Sequence, residues 1–362
     1  MNLDDLPPLL FLPPNRVWRT YLGGRTLDRL EGRDAPADSH FPEDWIASTT
    51  RAVNPEREHL ADEGLSRVAV GGESILLTDL YARFPEHLLG PDHVGRYGTA
   101  GGFLLKLLDS AIRLHLQCHP TREFARKHLN AEAGKTEAYV ILSTRPEIHD
   151  PFIYLGFQHR PTPSELRRAV AAQDETALLS FFEPIPVHPG DVFLVPGGMP
   201  HAIGEGVFMI EIMEPTDLAV RLEFVRGGYE LPEAARFMGR DLDFAVSMLQ
   251  YEQLSVQAVR DRFFRQPRPL RKAAGGRELE LIGPDATPCF RVKRLAVTST
   301  LAHAEDSFCI AIVSRGSGQV ACGDLERPVR FGDRFLIPFG TGEVHYRTDG
   351  DMDVVLALPP AA

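Results

Sequence analysis

The chain reads as a mainly β protein with helical segments, built around two small antiparallel barrels of one type. Three observations predict this. Glycine (31) and proline (29) punctuate short apolar runs, which is how turn-linked strands look in sequence. The stretch from about 277 to 362 is almost entirely strand-patterned. And one frame occurs twice: Val187-His188-Pro189-Gly190-Asp191-Val192-Phe193-Leu194-Val195-Pro196 leading to His201, and Val329-Arg330-Phe331-Gly332-Asp333-Arg334-Phe335-Leu336-Ile337-Pro338 leading to His345. In each, Gly-Asp makes a turn, an apolar strand follows, and proline ends it before a loop that returns a histidine.

Taken in order, residues 1–100 predict short strands and turns with a helix near Leu76–Phe84. Alternation over Arg113–His119 predicts a strand that puts His115, Gln117 and His119 on one face and Leu114, Leu116 and Cys118 on the other. Pro120 starts a helical segment over Thr121–Leu129, because proline is tolerated in a first turn. Glu137–Ser143 is a strand. Thr162-Pro163-Ser164-Glu165 opens a helix, with a hydroxyl N-cap and an acid in the first turn. Val187–Gly204 returns to strand and turn, and Val207–Met213 is an apolar strand. Glu230–Phe264 is helical, and Pro267 to Gly276 is the most linker-like stretch. Strands follow at Cys289–Ala296, Ser307–Ser314, Gly318–Cys322, Arg334–Ile337 and Val354–Leu358. A boundary at 265–277 divides the chain into 1–265, which carries the chemistry, and 266–362, a β domain without a metal site.

Bulk properties exclude several function classes. The 362 residues are 43% hydrophobic and 25% charged, enough for a sizeable core. A net charge of -11 argues against nucleic acid or an anionic membrane as a partner. No apolar run approaches the roughly 18–20 residues that span a bilayer, and the acidic start Met1-Asn2-Leu3-Asp4-Asp5 is unlike a signal peptide. Cys118, Cys289, Cys309 and Cys322 show no CxxC spacing, which fits reduced thiols in a cytoplasmic enzyme. Nothing in the sequence assigns an oligomeric state.

The chemistry concentrates in three places. Gln117 and His119 offer an amide oxygen and an imidazole side by side. Glu137, in Gly134-Lys135-Thr136-Glu137, adds a carboxylate at the head of an apolar run. His201, in Pro200-His201-Ala202-Ile203-Gly204, adds a second imidazole. Gln, His, Glu and His make a four-ligand set for a divalent metal with room for a substrate oxygen. The second repeat lacks a Gln-x-His strand and a partner glutamate, so His345 is not expected to be a ligand.

The ordered set Gln-x-His-Pro, Gly-Lys-Thr-Glu, Gly-Asp-x-x-x-x-Pro-x-Gly-x-x-His-Ala-Ile-Gly and Asp-x-x-x-Arg resembles the type I mannose-6-phosphate isomerases. Softer matches occur at Asp44–Ser48, Gly64–Ser66 and Leu104–Lys106, and the similarity runs from about Leu10 to Phe224. The resemblance implies a cupin fold, with RmlC-like jelly-roll barrels, and a zinc-dependent aldose–ketose isomerase acting on a small sugar or sugar phosphate. It implies zinc, one per chain, on Gln117, His119, Glu137 and His201. It implies catalytic roles for Arg221, Lys135 and Asp217. Glu211, Glu214 and Asp217 are further candidates for carrying the proton. His115 stands where the family commonly has a small residue, and the segment 214–223 is more apolar than usual. An isomerase of an unphosphorylated sugar and a non-catalytic, metal-containing sugar-binding cupin are the rival readings.

Overall fold

The computed structural model describes residues 2–361. The described residues form four larger antiparallel sheets and two two-stranded ones. A six-stranded sheet runs, in spatial order, Val192–Val195, Glu137–Thr144, Val207–Met213, Leu104–Asp109, Glu43–Ile46 and Arg16–Val17. A five-stranded sheet runs Ile185–Pro186, Phe152–Leu155, His201–Ile203, Gln117–Cys118 and Val220–Arg221. The two share a core of Tyr139, Ile141, Phe193 and Met209 from the first against Ile153, Leu155 and Ile203 from the second.

The later part of the chain builds the other two. A seven-stranded sheet runs Leu10–Phe11, Arg334–Ile337, Cys309–Arg315, Met352–Leu358, Arg291–Val297, Gly276–Ile282 and Arg268–Ala273. A four-stranded sheet runs Thr300–His303, Val344–Arg347, Ser317–Cys322 and Leu325–Arg330. Leu295, Val313 and Leu356 of the former pack on Leu301, Val320 and Tyr346 of the latter.

Because successive strand residues face opposite ways, the central strands of the six- and seven-stranded sheets are apolar on both faces. Leu105, Leu107, Val140 and Ile210 meet Val292, Ile310, Val355 and Ala357 in one continuous core between the sheets. Each Leu, Ile or Val among them contributes about 1.5–3 kcal/mol on full burial, so the later sheet is part of what holds the earlier one in place behind the site. The strand Leu10–Phe11, near the start of the chain, pairs with Arg334–Ile337, and buried Arg334 forms an ion pair with buried Asp44.

The repeated Gly-Asp turn has one geometry in both copies. Gly190 and Gly332 adopt φ of 94° and 90°, a region that suits glycine. In each turn the aspartate side chain accepts from the amide three residues earlier, Asp191 from His188 and Asp333 from Arg330.

Three local expectations change. Pro267–Gly276 is not a linker: Arg268–Ala273 is an edge strand, and its register shifts just after Pro269. Proline is compatible with a strand only at an edge or bulge, which is where it lies. Glu230–Phe264 is not one helical stretch but three short helices, Glu233–Arg236, Leu242–Met248 and Val256–Phe263; Asp241 and Ser255 cap the last two and restart the chain each time. Pro120 lies before the helix Arg122–Leu129, whose N-cap is Thr121, accepting from Phe124 N. The helix opened by Thr162 is Pro163–Ala172, with a capping box to Glu165. Among the described residues no helix is long and apolar enough to cross a membrane.

Candidate active and metal site

Neighbouring strands bring the predicted ligands together. Gln117 is in register with His201 on one side and Arg221 on the other. Glu137 begins the strand that faces them from the opposite sheet. One nitrogen each from His119 and His201 and one oxygen from Glu137 lie within 4.8 Å of one another, all buried.

The hydrogen bonds fix the chemistry of these imidazoles. His119 Nδ1 donates to Leu218 O (2.8 Å) and His201 Nδ1 donates to Met199 O (2.9 Å). Both Nε2 atoms therefore carry lone pairs, and both point at Glu137: His119 Nε2 to Oε1 at 3.1 Å and His201 Nε2 to Oε2 at 3.5 Å. Burial, reinforced for His119 by Lys135, lowers both imidazoles, His119 to about 3, so both are neutral at pH 7. Burial pushes Glu137 up, but the charge of Lys135 leads the effects that outweigh it and hold the carboxyl well below its usual range. Lone pairs thus face a buried carboxylate, with the Lys135 ammonium 3.1 Å from His119 Nε2 as the cation nearest them, and a metal ion would relieve the rest. Glu137 Oε1 is fully buried and makes no hydrogen bond, although Lys135 Nζ lies 3.2 Å away. Tyr139 donates to the other oxygen, Oε2, at 2.7 Å. Backbone-oriented imidazoles, an oriented carboxylate and one orphaned oxygen are what a divalent metal site needs. The Gln117 amide lies 3.3 Å from His201 Nε2, at the edge of the same group.

A narrow cavity beside these residues is lined by Arg19, Glu43, Lys106, His115, Gln117, Lys135, Glu211 and Arg221. Lys106 is buried between Glu211 (2.9 Å) and Glu43 (3.3 Å); burial lowers its pKa, but the two carboxylates outweigh that and raise it above the usual lysine range. Burial raises Glu211, and the balance of Lys106 against Glu137 leaves it at about 7. Arg221 has one hydrogen bond, to Ala235 O. Burial and the charge of Arg19 lower it to about 10, still a cation at neutral pH.

Asp217 does not pair with Arg221. It receives a two-pronged contact from Arg19, at 2.9 and 3.0 Å, and a third hydrogen bond from Val53 N. His115 lines the cavity but its ring is engaged elsewhere, with Nδ1 donating to Glu223 O and Nε2 accepting from Thr20. Glu214 faces away from the cavity, where its carboxylate accepts from Gly134 N and Thr136 N and so holds the loop that presents Lys135. His345 is half exposed, beside Glu343.

Arg19, Glu43 and Tyr139 were not singled out from the sequence. A signal existed for the wider set. Lys106 and Glu211 are lone charges inside the apolar runs Leu104–Leu108 and Val207–Met213, and they stand opposite each other in register.

No family model matches the chain. A mannose-6-phosphate isomerase of Bacillus subtilis is 27% identical over 294 residues, which is 79% of this chain and 85% of the relative. One of Streptococcus mutans is 26% identical over 289 residues, 78% and 84% of the two chains. Over about four fifths of its length the chain is thus similar to curated mannose-6-phosphate isomerases. The solved structures agree on the fold. The mannose 6-phosphate isomerase of Bacillus subtilis superposes with a TM-score of 0.73 at 20% identity, covering 96% of this chain and 99% of that one. A putative mannosephosphate isomerase of Archaeoglobus fulgidus gives 0.74 at 18% identity over 99% of each. A mannose 6-phosphate isomerase described as bound with zinc and yttrium gives 0.69 at 15% identity, over 98% of this chain and all of that one. The mainly β architecture expected of this isomerase family is therefore present.

Proposed function

We propose that this chain is a zinc-dependent aldose–ketose isomerase that interconverts mannose 6-phosphate and fructose 6-phosphate. The observation that carries it is the buried group His119, Glu137 and His201, with two imidazole lone pairs and an orphaned carboxylate oxygen directed at one point, in a chain similar to curated mannose-6-phosphate isomerases. These three residues would hold the metal, and Gln117 joins them once its amide turns its oxygen inward. The paired sheets support two cupin-type barrels, 1–265 and 266–362, of which the first carries this site. The four buried, unpaired thiols support a reducing, cytoplasmic setting.

Zinc bound there supplies a Lewis acid for the oxygens at C1 and C2 of the open-chain sugar. The rest of the reaction falls to side chains. Glu211, divided between acid and carboxylate near neutral pH, is suited to take the proton from C2 and return it to C1. Lys106 keeps that carboxylate in place and donates to a sugar oxygen. Arg221, with donors not used inside the protein, offers positive charge to the oxygen that turns negative in the enediolate. Lys135, beside Glu137, neutralises charge at the same end of the cavity. Asp217, itself held by Val53 N, acts through Arg19 by fixing that guanidinium beside Glu43. A binding-only cupin has no need of Glu211 and Lys106 poised together, which favours the catalytic reading.

Formation of fructose 6-phosphate from mannose 6-phosphate by the purified chain, before and after chelation and zinc restoration, tests the proposal. Turnover that disappears with the metal and returns with zinc is expected. Absence of turnover in zinc-loaded protein, or turnover of unphosphorylated mannose in preference, would overturn it.

A further inference from the structure

The six- and seven-stranded sheets repeat one order. Glu43–Ile46, Leu104–Asp109, Val207–Met213, Glu137–Thr144 and Val192–Val195 lie side by side in the first. Gly276–Ile282, Arg291–Val297, Met352–Leu358, Cys309–Arg315 and Arg334–Ile337 lie side by side in the second. The registers match as well. Glu43 stands opposite Leu108, two residues from Lys106, and its carboxylate reaches that lysine. Glu278 stands opposite Leu295, two residues from Lys293, and lies 3.1 Å from it. His303 faces Val344 as Gln117 faces His201. The later sheets thus carry a polar cluster at the place that corresponds to the catalytic cavity.

The cluster has its own composition. Lys293 bridges Glu278 and Glu305, and His303 touches both carboxylates, Nε2 at 2.9 Å from Glu305 and Nδ1 at 3.4 Å from Glu278. Val344 stands where His201 would be, so the first site's metal donors are not repeated. What is repeated is the Lys106–Glu43 pair, as Lys293–Glu278, while Leu356 stands where Glu211 would be.

Lys293 and Glu305 open into a cavity of about 290 Å³ closed by the helix Pro91–Tyr97, with Arg96, Tyr97, Arg291 and Ser307 on its wall. Arg291 donates to Pro359 O (3.0 Å) and Ser307 Oγ (3.2 Å), and neither Arg291 nor exposed Arg96 has a carboxylate partner among the described residues. On this wall, which also carries Lys293 and the carboxylates of Glu305, Asp92 and Asp306, the two guanidiniums are the groups whose geometry matches phosphate oxygens. The exposed acids Asp92 and Asp306 lie on the same cavity and accept from hydroxyls, and the partly exposed Tyr97 ring offers an apolar face.

We propose that this cavity is a second ligand site, separate from the catalytic one, for a small phosphorylated polyol: phosphate on Arg96 and Arg291, hydroxyls on Lys293, Glu305 and the rim acids. Its occupancy is read by binding alone, so it stands or falls independently of whether the first site turns the ligand over.

Equilibrium dialysis with labelled mannose 6-phosphate on the zinc-loaded full chain tests it. Two bound molecules per chain are expected, falling to one in Arg96→Glu and in Arg291→Met, with isomerase turnover unchanged in Arg96→Glu. Because Arg96 is exposed, its replacement leaves the fold intact, and the loss of one bound molecule in the variants reads this cavity whether or not the first site binds. The same number bound by the unaltered chain and by both variants would overturn it.

Discussion

Lys106 and Glu211 face each other across two neighbouring strands, Nζ 2.9 Å from Oε2, and both are buried. A lysine held charged beside a carboxylate that titrates near 7 is an acid–base pair set at working pH. Glu211→Gln preserves shape and removes the titration. Its kcat should fall by about 10²–10⁴-fold, with zinc content unchanged, as steady-state kinetics and metal analysis would read.

Arg221→Ala should likewise keep the metal and lose rate, because among the described residues its guanidinium hydrogen-bonds one backbone carbonyl, that of Ala235. A loss of roughly 10²–10³-fold in kcat is expected for a donor to a developing oxyanion. An unchanged kcat with a raised KM would instead place Arg221 in ground-state binding.

Tyr139→Phe removes the hydroxyl that orients Glu137 Oε2. Zinc affinity should weaken by about 10–100-fold, the usual effect of losing a partner of a metal ligand. Competition with a chelating dye measures this, and unaltered affinity would mean that the strand alone fixes the carboxylate.

Acid should attack the Arg19–Asp217 pair. Burial raises Asp217, but the charge of Arg19 and its two hydrogen bonds outweigh it and hold the folded-state pKa well below the ordinary value. A depressed carboxyl stabilises the fold fully above its unfolded pKa, about 4, and that stability is lost as pH falls through the folded pKa. Denaturation midpoints should therefore drop from about pH 4 downwards, and Asp217→Asn should flatten that decline while lowering stability at pH 7 by about 3 kcal/mol, as for a buried pair that loses one partner. Parallel pH curves for the two proteins would refute this.

Much of the site was legible because its residues sit in short motifs with strand periodicity. Gln117 and His119, then Glu137, then His201 announce themselves as polar groups at fixed places beside apolar strands. Arg19, Glu43 and Tyr139 were not legible, since each reaches the cavity only through strand pairing and packing that single-sequence patterns do not encode. Asp217 illustrates the limit: its spacing to Arg221 suggests a local pair, while the fold delivers a partner 198 residues away, Arg19. The same holds for Pro267–Gly276, whose prolines and glycines look like a linker until the neighbouring strand shows them to be a sheet edge.

The central claim is that His119, Glu137 and His201 hold the zinc on which isomerisation depends. Zinc per chain and fructose 6-phosphate formation, measured together on the unaltered protein and on Glu137→Gln, test it most directly. The account predicts one zinc and turnover in the first, and loss of both in the second. Turnover by Glu137→Gln without zinc would contradict it.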